Sequence, residues 1–204
     1  MTAARDFSMR ARTVFAGFLG VMLLAMPALS QSDRDAAEEA AQKAELARLI
    51  ADPALSPQAN ADFLANNLHQ PGVLHRPSGL QYKILQNGYG RHPGPADRVE
   101  VYYTGKLING KVFDGTSPGL PASLLVAKVV TGWVEALQLM REGDHWMIWI
   151  PANIGYGVRG FPDAGIPPNQ TLIFDVRLLG TKGPPKKGDP DYVPDPNDQD
   201  DQQK

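Results

Sequence analysis

Residues 154–176 read IGYGVRGFPDAGIPPNQTLIFDV, and within them Gly155, Gly157 and Gly160 spell G-x-G-x-x-G. Glycines at that spacing mark a dinucleotide-binding turn only where a strand enters and a helix opens, because the helix amino terminus holds the pyrophosphate. A strand does enter: His145–Ile150 is apolar and aromatic-rich. No helix can leave. Pro162 lies just beyond Gly160, and Pro167-Pro168 follow; a proline inside a helix lacks a donor and clashes with the preceding turn. The next regular segment, Thr171 to Leu179, reads as a strand. The stretch is therefore a loop between two strands, and the cofactor reading fails on context. What needs a reason is the apolar content of that loop: Ile154, Tyr156, Val158, Phe161 and Ile166.

Outward from the loop, the period is two. Leu80, Tyr82 and Ile84 alternate with Gln81 and Lys83, and Val99, Val101 and Tyr103 with Glu100, Tyr102 and Thr104, as in half-buried strands. Asn109-Gly110 sits between Lys106-Leu107-Ile108 and Lys111-Val112-Phe113, a strong hairpin signal. Trp133, Leu137 and Met140 recur at i, i+4 and i+7, which predicts a short helix with one apolar face, ended near Gly143 as a C-cap glycine. The fold class is α+β: an antiparallel β-sheet wrapped around one short α-helix, over residues 78–181.

Residues 31–77 precede it as a helical extension and linker. Ser32 to Ile50 is rich in good helix formers, with Asp33 as its cap and Asp52-Pro53 as its stop. A second helix begins at Ser56 with Pro57 in its first turn and runs to Leu68 before Pro71-Gly72. Two readings stand for residues 33–70: a homodimer formed with a second copy of the chain, or a solvated linker.

Arg5, Arg10 and Arg12 open the chain, Val14 to Met26 is an unbroken run of apolar residues and Gly, and small residues surround Ser30. That run fits the roughly 7–15 residues of a signal peptide core rather than the about 20 of a spanning helix. The expectation is a signal peptide over residues 1–30, cleaved after Ser30, and a periplasmic or secreted protein. Residues 182–204 are rich in Pro, Asp and Gln and should form a disordered acidic tail.

The 204 residues carry a formal charge of −2 and no cysteine. Thiol and disulfide chemistry are excluded. No basic stripe suggests nucleic acid. The four histidines are scattered without ligand spacing, so no metal and no cofactor are expected.

Several motifs now fall in one order. Val101-Tyr102-Tyr103-Thr104-Gly105 with Phe113-Asp114, Val129-Val130-Thr131-Gly132-Trp133, Tyr156-Gly157, and Ile166-Pro167-Pro168-Asn169 with Thr171-Leu172-Ile173-Phe174-Asp175-Val176 together resemble the FKBP-type peptidyl-prolyl cis-trans isomerases. The extension, with Phe63-Leu64-Ala65-Asn66-Asn67 and Pro77-Ser78-Gly79-Leu80-Gln81-Tyr82, is similar to exported bacterial members with an N-terminal helical segment. The resemblance implies that the glycine loop is a lip over an apolar cleft. Tyr156, Phe161 and Ile166 would hang from the lip and Trp133 would form the floor. Tyr103, Phe113 and Phe174 would build the walls, and Val129 and Val130 would close one side.

It also implies roles. The Tyr156 hydroxyl and the Val130 backbone N–H would bind substrate carbonyls, while Asp114, held by Tyr103, would bias the electrostatics at the rotating carbonyl. Catalytic work would fall to Tyr103, Phe113, Asp114 and Tyr156, and substrate binding to Val129, Val130, Trp133, Phe161, Ile166 and Phe174. Partners would be proline-containing unfolded or partly folded proteins, with a macrolide as a candidate ligand. The alternative is a non-catalytic chaperone or scaffold module that binds clients through the same cleft. Val130 stands where Ile is usual in the family, and Ala122 where some members have an aromatic wall.

Overall fold

The computed structural model describes residues 30–184. The expected leader up to Leu29 and the tail beyond Pro184 lie outside the described residues. Two helices lead the described residues, α1 (Gln31–Ile50) and α2 (Pro57–Asn67), with a 3-10 turn at Pro53–Leu55 between them. Then come β1 (Leu74–His75), β2 (Gln81–Gln86), β3 (Arg98–Lys106), β4 (Val112–Gly115), β5 (Ala122–Leu125), α3 (Thr131–Leu139), β6 (His145–Ile150) and β7 (Leu172–Lys182). All strand pairs are antiparallel, in the order β1-β2-β6-β7-β3-β4, with β5 also on β3.

The long strand β3 organises the sheet. Its alternation holds in the fold: Val99, Val101 and Tyr103 are all buried. One side pairs with β7 along its whole length, from Arg98 opposite Lys182 to Lys106 opposite Ile173. The other side is shared. β5 pairs with Arg98 to Val101, and β4 with Thr104 to Lys106. Between them the Tyr103 backbone is satisfied by Thr116 instead. Its N–H donates to Thr116 Oγ1 (3.1 Å), and its carbonyl accepts from the Thr116 N–H (2.9 Å). This break in the ladder opens the sheet beside Tyr103.

Helix α3 packs across the sheet through Trp133, Ala136, Leu137 and the following Met140, all essentially inaccessible. Burying a side chain of that size stabilises by about 1.5–3 kcal/mol. Gly132 permits the close approach, since a Cβ there would lie 2.5 Å from Ile150 Cγ2. The helix ends earlier than Gly143. Met140 is the C-cap and donates to the Ala136 carbonyl, while Gly143 (φ 92°) turns the chain into β6. Its N–H belongs to the sheet and donates to the Leu178 carbonyl at 2.8 Å.

Three other expectations need revision. Helix α1 is capped by Ser30, and Asp33 is the third residue of a reciprocal capping box rather than the cap; a carboxylate at that place reaches back to the cap N–H. Gln81 is buried and Ile84 is not. Helix α2 covers the start of β2, where Asn67 Nδ2 donates to Gln81 Oε1 (2.8 Å) and Gln81 Nε2 to the Leu64 carbonyl (2.9 Å). The strands β1 and β5 have no alternation of their own and were not expected.

The extension packs on the sheet domain through buried polar groups as well as through Leu49 and Leu55. Asn60 accepts from the Thr171 N–H (2.7 Å) and donates to the Leu55 carbonyl (3.1 Å), 111 residues of chain separating Asn60 from Thr171. Gln170 Nε2 donates to the same Leu55 carbonyl (2.9 Å). Asn60→Leu leaves the Thr171 N–H buried without an acceptor, and should lower stability by about 2 kcal/mol in urea unfolding.

Candidate active site

Four rings from four elements meet at the break in the ladder. Phe174 of β7 is the hub. It meets Phe113 of β4 edge to face (centroids 5.5 Å, 90°) and Trp133 of α3 likewise (5.2 Å, 84°). Tyr103 of β3 tilts against Phe174 at 6.3 Å and meets Trp133 edge to face at 5.4 Å. Edge-to-face pairs place the positive rim of one ring on the negative face of the next. Register sets this up. Gly105 of β3 lies opposite both Asp114 and Phe174, and a Cβ on it would stand 2.6 Å from the Phe174 ring and 2.8 Å from Phe113.

Asp114 follows Phe113 and is also buried, at 7 % exposure. The Tyr103 hydroxyl donates to its Oδ2 at 2.7 Å, and the Gly115 N–H to its Oδ1 at 2.8 Å. Burial pushes the carboxyl pKa up, and those two donors pull against it. The hydroxyls of Tyr103 and Tyr156 are both pushed well above the ordinary phenol value, first by burial and then by the Asp114 charge. Both therefore stay protonated donors at neutral pH, and both sense the same carboxylate.

The glycine loop forms the other side. It is built from 3-10 turns at Ala152–Ile154, Gly157–Arg159 and Pro162–Ala164. Phe161 and Ile166 close it by exchanging two backbone hydrogen bonds (2.8 and 3.0 Å). Asn169 ties its far end back to the Gly157 carbonyl (2.9 Å). Gly160 takes φ 63°, and a Cβ there would meet the Ile166 carbonyl at 2.4 Å; only glycine fits both conditions. Tyr156 and Phe161 stack on each other at 5.1 Å and 21°.

The apolar residues assigned to the cleft from the sequence all belong to or pack against the hydrophobic core, of which the four rings are one part. Phe113, Trp133, Ile166 and Phe174 are buried to 2 % exposure or less and form its backing, with Val129 nearly as deep. Tyr103 is buried at 9 % exposure, and Val130, Tyr156 and Phe161 are half-buried. A ligand would touch the last three first. Val130 is the N-cap of α3, in extended conformation. The described hollows, one beside Ile84, Tyr89 and Trp146 and one beside Glu45, Asn109 and Lys111, lie elsewhere. Among the described residues no group of three or more His, Asp or Glu stands at metal-binding distance. Gly105 and the extension's Gln42 and Asn60 carry no assignment in the sequence. Gly105 is visible only as part of a motif, and isolated amides on helices leave no pattern.

The comparisons agree with this geometry. The model of the FKBP-type peptidyl-prolyl cis-trans isomerase matches residues 90–179, and that of the domain amino terminal to FKBP-type peptidyl-prolyl isomerase matches residues 2–84. The chain is 49 % identical over 121 residues to the outer membrane protein MIP of Legionella longbeachae, covering 59 % of this chain and 52 % of that protein. The crystal structure of FkpA from Escherichia coli superposes with a TM-score of 0.62 at 30 % identity, over 88 % of this chain and 84 % of that one. A peptidyl-prolyl cis-trans isomerase structure from Pseudomonas syringae gives 0.58 at 34 % identity, over 61 % and 92 %. The chain belongs to the FKBP-type peptidyl-prolyl cis-trans isomerase family. It spans about half the length of the curated relatives it matches.

Gly105→Ala forces a methyl between the Phe113 and Phe174 rings. It should cost about 1–3 kcal/mol in chemical unfolding, as overpacked cores do.

Proposed function

We propose that this protein is a peptidyl-prolyl cis-trans isomerase acting on X–Pro bonds of unfolded or partly folded polypeptides. One observation carries the reading. A buried carboxylate held by the Tyr103 phenol lies against an aromatic cluster, with the Tyr156 phenol, also under its charge, on the facing lip.

Rotation about an amide bond meets a barrier of about 18–20 kcal/mol because it breaks resonance. The planar form carries charge separation that water stabilises, and the twisted form carries less. A water-poor aromatic surface therefore favours the twisted form relative to the planar one. The prolyl ring packs against Tyr103 and Phe161 over the backing of Trp133 and Phe174, while Val129, Val130 and Ile166 border it. The Tyr156 hydroxyl and the Val130 N–H anchor carbonyls of the bound segment. Asp114 sets the field at the carbonyl that turns, and Phe113 shields it from water. No proton moves, and every ~1.4 kcal/mol of preference for the twisted form gives about tenfold in rate.

The basic and apolar leader and the relative named an outer membrane protein support a periplasmic or secreted location; cleavage after Ser30 would remove the N-cap of α1 and start the mature chain at Gln31. Clients would then be exported chains. The apolar cleft suits a macrolide. Pairing with a second copy, the reading given for residues 33–70, is supported by the exposure of residues 31–41 at the start of α1. From Gln42 onward the helix also contacts the domain, through Gln42, Glu45 and Leu49.

A protease-coupled assay on a proline tetrapeptide tests the reading. Isomerisation should rise in proportion to protein. Asp114→Ala and Tyr156→Phe should each lower kcat/KM about tenfold or more with the fold intact. A chain that slows client aggregation yet leaves the peptide rate unchanged is a binding module instead.

The pH profile follows from Asp114. Its raised pKa means that the carboxylate is lost at a pH above the ordinary value of 3.8, so kcat/KM should fall on the acid side with a midpoint above that value. Tyr103→Phe removes a donor that favours the charged form, and the midpoint should move further up. The contribution to stability runs in the opposite pH direction. A group that binds its proton more tightly when folded favours folding most below its unfolded pKa, and that contribution is lost as pH rises through the folded value.

A further inference from the structure

The lip over the ring cluster is not held by the sheet domain alone. Its tip is the short turn Pro162–Ala164, between Phe161 and Ile166. Gln42 of α1 donates from Nε2 to the Asp163 carbonyl at 2.6 Å, across 121 residues of sequence. Its base is the run into β7. There Asn60 of α2 accepts from the Thr171 N–H and donates to Gln170 Oε1 at 3.3 Å, and Gln170 in turn donates to the Pro168 carbonyl at 2.9 Å. Helix α1 is itself pinned beside the lip. Glu45 pairs with Lys111 on the β3–β4 hairpin, and Asp52 accepts from Asn109 Nδ2 at 3.0 Å.

We propose that the helical extension is a working part of the substrate cleft, with Gln42 and Asn60 as positioning residues that hold the lip. The proposal rests on the isomerase reading above. The lip carries two of the groups a bound segment would touch first, Tyr156 and Phe161, stacked as a pair. Its own ties are all backbone bonds: two between Phe161 and Ile166, two inside the tip (the Ala164 N–H to the Phe161 carbonyl and the Gly165 N–H to the Pro162 carbonyl), and two on the Gly157 carbonyl from Gly160 and Asn169. None of the described sheet strands pairs with it, and segments outside a ladder open at lower free-energy cost than core strands do. Each external bond raises the fraction of molecules with the lip in binding geometry, and the affinity for a ligand scales with that fraction. The bond is equal for planar and twisted substrate, so it acts on KM and not on kcat.

The test uses the full chain and a proline tetrapeptide. Gln42→Glu keeps the shape and removes the donor. It should raise KM about three- to tenfold, the worth of one hydrogen bond, with kcat within twofold and an unchanged Tm. Gln42→Lys restores a donor and should bring KM back toward the wild-type value. Arg34→Ala, at an exposed position nearer the start of the same helix, is the control and should change neither constant. Amide hydrogen exchange at Ala164, Gly165 and Ile166 should quicken in Gln42→Glu and not in Arg34→Ala. Asn60→Asp keeps the acceptor for Thr171 and loses the donor, and it should raise KM in the same direction. Unchanged KM and unchanged exchange in Gln42→Glu, with the wild type active, overturn the positioning role and leave the isomerase reading intact. Parallel loss of kcat and Tm would mean a merely structural contact and overturns it as well. A wild-type chain with no effect on the peptide rate overturns both.

Discussion

Phe174 is where separate parts of the chain are made to agree. Its ring receives Phe113 from a hairpin, Trp133 from a helix and Tyr103 from the neighbouring strand. Each contact fixes a different element: the pairing of β4 on β3, the seat of α3 on the sheet, and the register of β7. A slip of one residue in β7 would turn Phe174 to the opposite face. The cluster would lose its centre, and Asp114 would lose the packed surroundings that raise its pKa. The missing Cβ of Gly105 is the allowance that lets two of these rings approach over the strand.

That dependence explains the electrostatics. A carboxylate this buried is costly unless donors meet it. Here the Tyr103 phenol and one backbone N–H do so, and the balance still leaves the carboxyl harder to ionise than in water. Tyr103 therefore has two duties, as a ring in the cluster and as a donor. Its backbone has a third, because its usual ladder partner is replaced by Thr116 at the break between β4 and β5. Shape, field and opening are set at one residue.

Much of this was legible in the sequence for physical reasons. The strict alternation of Val99, Val101 and Tyr103 is what a sheet with one covered face requires, and Asn109-Gly110 supplies a tight turn, with Gly110 at φ 86°. Trp133, Leu137 and Met140 mark the buried stripe of α3. The gathering of distant rings was not legible from pattern. It came from the ordered motifs of the FKBP resemblance, since nothing local ties Phe113 to Phe174. The four residues of β5 are all half-buried and show no period. Gln81 reads as a solvent residue because the helix that covers it lies elsewhere in sequence. Gln42, Asn60 and Gln170 act through hydrogen bonds that span more than a hundred residues, and no local signal accompanies such bonds.

The position of β7 bears on how the molecule is made. It is the final strand among the described residues, yet it lies between β6 and β3 in the middle of the sheet. Without β7, the group β1-β2-β6 and the group β3-β4-β5 share no strand pairing, and Trp133 of α3 lacks the Phe174 ring it packs on. The sheet is joined only by pairings between segments far apart in sequence, a topology that slows folding. Translation therefore has to run almost through the domain before its two halves can be joined.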